Sequence, residues 1–75
     1  VDQLRIYPNP GKDRFHISGV EGKAVIEIVN TFGTTVFMQP VNLPGMIDTG
    51  SLPPGIYLVK THLGGKTHVN KLMIR

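Results

Sequence analysis

The side chains best suited to chemistry in this sequence are His16, His62 and His68, Ser18 and Ser51, and the carboxylates Asp2, Asp13, Glu21, Glu27 and Asp48. A metal site needs three or four such ligands converging on one point. Acyl transfer needs a hydroxyl beside a base, with a third group to orient that base. Neither pattern is present. Gly64-Gly65 reads as a two-residue hairpin loop, which sets Leu63 opposite Lys66 and Thr61 opposite His68. His62 and His68 then project from opposite faces and cannot share an ion. His16 alternates outward between Phe15 and Ile17, so all three histidines read as isolated surface residues. No base accompanies either serine in a recognisable arrangement. Asp13 and Asp48 stand beside turns, where acidic side chains serve structure. A chain this short leaves little room for a cleft, and no glycine-rich phosphate cradle occurs. With no cysteine, thiolate ligands and disulfides are excluded as well. The expectation is a non-enzyme with no catalytic residue, no metal and no cofactor.

The elements that would position any site are all strands. Apolar residues alternate with period two, and nine Gly and six Pro interrupt the chain about every ten residues. Punctuation at this density predicts short strands in a sandwich or barrel. Seven are expected, at roughly 3–7, 13–18, 23–30, 34–39, 45–49, 55–63 and 66–74, folded as one antiparallel, immunoglobulin-like β-sandwich over residues 1–75. The alternation turns Leu4, Ile6, Phe15, Ile17, Ala24, Ile26 and Ile28 inward. Val36, Met38, Ile47, Leu52, Tyr57, Val59, Leu72 and Ile74 complete the expected core. Tyr7 is expected to cover its edge with the hydroxyl at the rim. Asn30-Thr31-Phe32-Gly33 predicts a hairpin closed by a positive-φ glycine. Pro44-Gly45 and Pro54-Gly55 each have the type II turn arrangement.

Composition narrows the class further. The chain is 40% hydrophobic and 17% charged, a folded domain rather than a disordered tail. No apolar run approaches the ~18 residues of a membrane span, so no stable membrane insertion is expected. The start lacks both a secretory leader and an initiator methionine, which suggests a piece of a longer protein. Net charge is +3 and unevenly placed. Through Phe37, Arg5, Lys12, Arg14 and Lys23 balance Asp2, Asp13, Glu21 and Glu27, whereas beyond it Lys60, Lys66, Lys71 and Arg75 meet only Asp48. Such a face can attract an anionic surface. Nucleic-acid binding is not expected, because no basic cluster is interleaved with aromatics.

Two punctuated segments stand out. Leu4-Arg5-Ile6-Tyr7-Pro8-Asn9-Pro10 ends a strand between prolines, and Leu52-Pro53-Pro54-Gly55-Ile56-Tyr57-Leu58-Val59 launches another. Between them lie Phe15-His16-Ile17, Ala24-Val25-Ile26-Glu27-Ile28-Val29-Asn30-Thr31-Phe32-Gly33 and Ile47-Asp48-Thr49. After them comes the terminal Lys71-Leu72-Met73-Ile74-Arg75. In this order and spacing the chain resembles, over essentially its whole length, the C-terminal sorting domain of type IX (Por) secretion cargo proteins of Bacteroidota. Val29-Asn30 and Thr34 depart from that family's usual residues on the hairpin.

The resemblance implies a non-catalytic secretion signal at the end of a larger exported protein. It further implies recognition in the periplasm, passage of the cargo through an outer-membrane translocon to the cell surface or beyond, and removal by a sortase-like peptidase cutting at or before Val1. Recognition is expected at the final hairpin and tail, Lys71, Leu72, Met73, Ile74 and Arg75. The motif residues Tyr7, Pro8, Asn9, Pro10, Gly33, Leu52, Pro53, Gly55 and Tyr57 are expected to be mainly structural. Unpaired edge strands leave room for a weak homodimer. The alternative function is an adhesion or carbohydrate-binding accessory sandwich of fibronectin-III-like type, which would use exposed aromatics such as Tyr7, Phe32 and Phe37.

Overall fold

The computed structural model describes residues 4–7, 14–50 and 52–75. Its elements are β1 (Arg5–Tyr7), β2 (Arg14–Val29), β3 (Thr35–Asp48), β4 (Gly55–Leu63) and β5 (Lys66–Ile74), all antiparallel. Long β2 is the spine. β3 runs along one edge of it, while β1 and then β4 share the other edge, and β5 pairs with β4.

The described residues therefore form five strands in one sheet curled into a half-barrel, not the seven of a two-sheet sandwich. The merged strands explain the difference. Expected strands 13–18 and 23–30 are one strand, because Gly19 (φ 92°) and Gly22 (φ 127°) bend the backbone without ending it. Four residues, Ser18, Gly19, Val20 and Glu21, lie opposite the single residue Pro44, a wide bulge that turns β2 through its corner. Expected strands 34–39 and 45–49 likewise fuse into β3, which carries Pro40, the cis Leu43–Pro44 bond and Gly45 within it. Gly45 is not at positive φ, so Pro44-Gly45 is not the expected type II turn. Gly55 does take the positive φ expected of it, but at 155° it is far from the ~80° of a type II turn, and it already pairs with Ile74.

Other turns form as the sequence predicts. Gly33 (φ 83°) closes the β2–β3 hairpin by donating its N–H to the Asn30 carbonyl. The Asn30 side chain adds two bonds, its Oδ1 accepting the Phe32 and Thr34 N–H groups at 2.9 and 3.0 Å. That side chain replaces backbone partners the tight loop cannot supply. Gly64 and Gly65, both at positive φ, join β4 to β5 in the expected register, Leu63 to Lys66 through Tyr57 to Leu72.

Curling brings Phe15, Ile17, Ile26, Ile28, Ile47, Tyr57, Val59, Leu72 and Ile74 into one buried cluster, with Leu4, Ile6 and Leu52 packed partly against it. Val20 and Leu43, beside the bulge, join the core although their positions in the sequence read as turns. The expected phase of β3 is reversed near its start. Val36 and Met38 are 37% and 59% exposed, and Phe37 packs on the core in their place. The cause is a second bulge: Thr35 pairs with Val29 and Phe37 with Ile28, leaving Val36 unmatched and shifting alternation by one residue.

Candidate functional site

The β4–β5 hairpin carries most of the terminal positive charge, and strand alternation sorts its side chains. Val59, Thr61, Leu72 and Ile74 are buried on the concave side, whereas Lys71, Met73 and Arg75 lie exposed. Of the five terminal residues expected to carry recognition, Leu72 and Ile74 are thus committed to the core. The others stay accessible to a partner.

Tyr57 ties this hairpin to the motif that precedes it. Its ring is buried, and its hydroxyl donates a hydrogen bond to the Pro53 carbonyl. A buried tyrosine needs a partner for its hydroxyl, and a carbonyl four residues upstream supplies it. The Leu52-Pro53-Pro54-Gly55 segment is held against the start of β4 in this way, with Leu52 resting on the core. Sequence reasoning placed Tyr57 in the core but missed the bond. Tyr7 lies at the end of β1, about half exposed, and stacks on His16 at a centroid separation of 5.3 Å and an interplanar angle of 9°. It therefore decorates the outer face rather than covering the core edge. Pro8, Asn9 and Pro10 lie outside the described residues, as do Asp13 and Ser51.

His62 is not an isolated surface residue. Its Nδ1 lies 2.9 Å from Thr67 Oγ1 and its Nε2 3.0 Å from Glu27 Oε1, while the Thr35 hydroxyl donates to Glu27 Oε2 at 2.6 Å. Hydroxyl, imidazole and carboxylate in line are the parts of a nucleophile system. Here they lie across the outer face of a sheet and tie β5, β4, β2 and β3 together. The arrangement braces strands. His62 pairs with Thr67 and His68 with Thr61, which puts the two histidines on opposite faces as expected. Among the described residues no group of three or more His, Asp or Glu could hold a metal.

The network has a pH signature. Hydrogen bonds from the Thr35 hydroxyl and then the His62 ring hold the Glu27 carboxyl below its ordinary value of 4.5; they outweigh the opposing effect of burial, and the Lys60 charge adds a lesser lowering. A carboxyl with a depressed folded-state pKa adds stability above its unfolded value, and this is lost as pH falls through the folded one. Glu27→Gln is therefore expected to be less stable than wild type at pH 6–7, with the gap closing below about pH 4.5. Urea midpoints measured across pH 3–7 check this, and a gap that stayed constant would count against it.

Comparison with known families places the domain as a whole. The family model described as the secretion system C-terminal sorting domain matches residues 5–75, nearly the entire chain. The chain belongs to this family. No curated protein is matched by it. As a type IX sorting domain, the chain is a secretion signal for the protein that carries it, directing export to the cell surface or the extracellular space. Sorting domains of this family are not catalytic. Among the described residues, the aromatic row of a carbohydrate-binding module is not assembled. Tyr7 is stacked on His16, Phe37 packs on the core and Phe32 stands alone on its turn.

Proposed function

We propose that this sorting domain is read through the outward side chains of its last strand, Lys71 and Met73, together with Arg75 beyond it. The reader is the outer-membrane translocon of the type IX system, met after the cargo has entered the periplasm, and a sortase-like peptidase then cuts upstream of the domain. The observation that carries this reading is the division of labour in β5: Leu72 and Ile74 anchor the strand in the core, and the residues between and after them stay exposed. An anchored strand presents its side chains in fixed positions, so the partner does not bear the cost of ordering them. The excess of positive charge suits an acidic or anionic partner surface.

Deleting residues 71–75 would abolish export, but it also removes two core side chains and so confounds recognition with folding. Lys71→Ala with Arg75→Ala is the cleaner probe. Exposed substitutions of this kind change stability by about 0.5 kcal/mol or less each. A fused reporter carrying the pair is expected to keep its circular dichroism spectrum and to be exported several-fold less. Unchanged export would refute recognition through this strand.

A further inference from the structure

The outer face of the β4–β5 hairpin is divided in two. Toward the Gly64-Gly65 turn it is polar, and its side chains are engaged with one another through Thr35, Glu27, His62 and Thr67. Toward the chain end it is apolar. Ile56 and Leu58 on β4 are each 41% exposed, and Val69 and Met73 on β5 are 55% and 41% exposed. The ladder sets Ile56 opposite Met73, Leu58 opposite Lys71 and Lys60 opposite Val69. The Leu58 row continues onto β2 at Val29, the 6% exposed floor of a groove of about 490 Å³ that Ile56 and Leu58 also line. An antiparallel sheet with one face in water carries polar side chains on that face. Four large apolar side chains gathered there instead mark a surface that a partner covers.

The register decides which partner that is. Side chains directly opposite on neighbouring strands have Cβ atoms about 4.5–5.5 Å apart. A standard interface covers about 800 Å² on each side. A partner that reaches Lys71 and Met73 therefore meets Leu58 and Ile56 as well, because each stands directly across the ladder. Val69 is the outward residue before Lys71, roughly 6.6 Å back along the same strand. The apolar patch is thus continuous with the row of side chains through which the domain is read, and one partner covers both. A second copy suits the patch less, because each chain carries a net charge of +3, which opposes self-association. An anionic membrane suits it less again, because such surfaces are met by clusters of about four to eight basic residues.

We infer that the translocon reads both strands of this hairpin through an apolar surface of its own, with Ile56, Leu58 and Val69 as specificity-determining residues beside the terminal strand's Lys71 and Met73. Removing these side chains from water supplies affinity that salt does not screen. This rests on the recognition reading above and deepens it, by naming the chemistry of the partner's surface.

The test uses the chain fused to the end of an exported reporter. Ile56→Thr with Leu58→Thr, and independently Val69→Thr, exchange exposed apolar side chains for polar ones that suit a strand. Each is expected to lower export about tenfold while the fusion resists proteolysis as the wild type does. Met46→Thr, 60% exposed beside His16 at the far end of β2, should be exported normally. A photo-crosslinking residue at position 69 identifies the occupant without removing the other apolar side chains. It is expected to give an adduct with a translocon subunit that is missing from a strain lacking the translocon, and the same residue at position 46 should give none. An adduct with a second copy or with lipid alone, equal loss of export in Met46→Thr, or normal export of both apolar variants would overturn the proposal. If the apolar variants are exported and Lys71→Ala with Arg75→Ala is not, the apolar surface is refuted and the terminal-strand reading stands. If all of them are exported, both fall.

Discussion

Ile26→Ala is expected to leave the chain largely unfolded under conditions where the wild type is folded. Ile26 is 0% exposed at the centre of the sheet, on the strand flanked by both β3 and β4. Its truncation removes buried apolar surface and leaves a cavity that a closed ladder on both sides cannot collapse into, a loss of about 2–5 kcal/mol. A chain of 75 residues has roughly 4–11 kcal/mol of net stability to lose. Chemical denaturation followed by circular dichroism measures the loss, and a value under about 1 kcal/mol would contradict this placement of Ile26. Met38→Ala is the matched control. Alternation from the sequence alone would make it equally damaging, whereas its exposure limits the effect to about 0.5 kcal/mol.

Gly45→Ala is the second large effect. A Cβ at this position would stand 2.8 Å from the Asn42 backbone oxygen, closer than real Cβ contacts allow, and a backbone atom cannot swing aside as a side chain can. Since Gly45 is not at positive φ, the requirement is purely steric: the chain folds tightly here, opposite the bulge in β2. The expected loss is about 1–3 kcal/mol, the usual range for overpacking. Gly33→Ala makes the useful comparison, because a Cβ there meets nothing within 4 Å and only the φ of 83° opposes it. A thermal or urea midpoint for Gly45→Ala equal to wild type would show that β3 does not make this close approach.

Where local chemistry decides the geometry, the sequence could be read directly. Gly64-Gly65 has one comfortable use between two alternating segments, and that fixed the β4–β5 register down to the inward pairing of Tyr57 with Leu72. Alternation about Leu72 and Ile74 then placed Lys71, Met73 and Arg75 outward without further information. The same reasoning failed where glycine and proline serve inside a strand. Gly19, Gly22, Pro44 and Gly45 read as breaks, but ladder partners far along the chain carry the strands through them as bulges. Only the partner strand distinguishes a bulge from a turn, and single-chain patterning does not contain it. The unmatched Val36 inverted the phase of β3 for the same reason. Glu27 and His62 are 35 positions apart and met only once β2 and β4 had paired. The Val29 groove was equally hidden, because Val29 follows Ile28 and strict alternation assigns it to solvent.

The central claim is that this chain is a sorting signal for type IX export. Its most direct test fuses the 75 residues to the C-terminus of a reporter that carries its own periplasmic leader. The fusion is expressed in a bacterium with an intact type IX system and in the same strain lacking the translocon. The account predicts reporter at the cell surface or in the medium of the first strain and retention inside the second. Retention in both strains, or equal export from both, would contradict it.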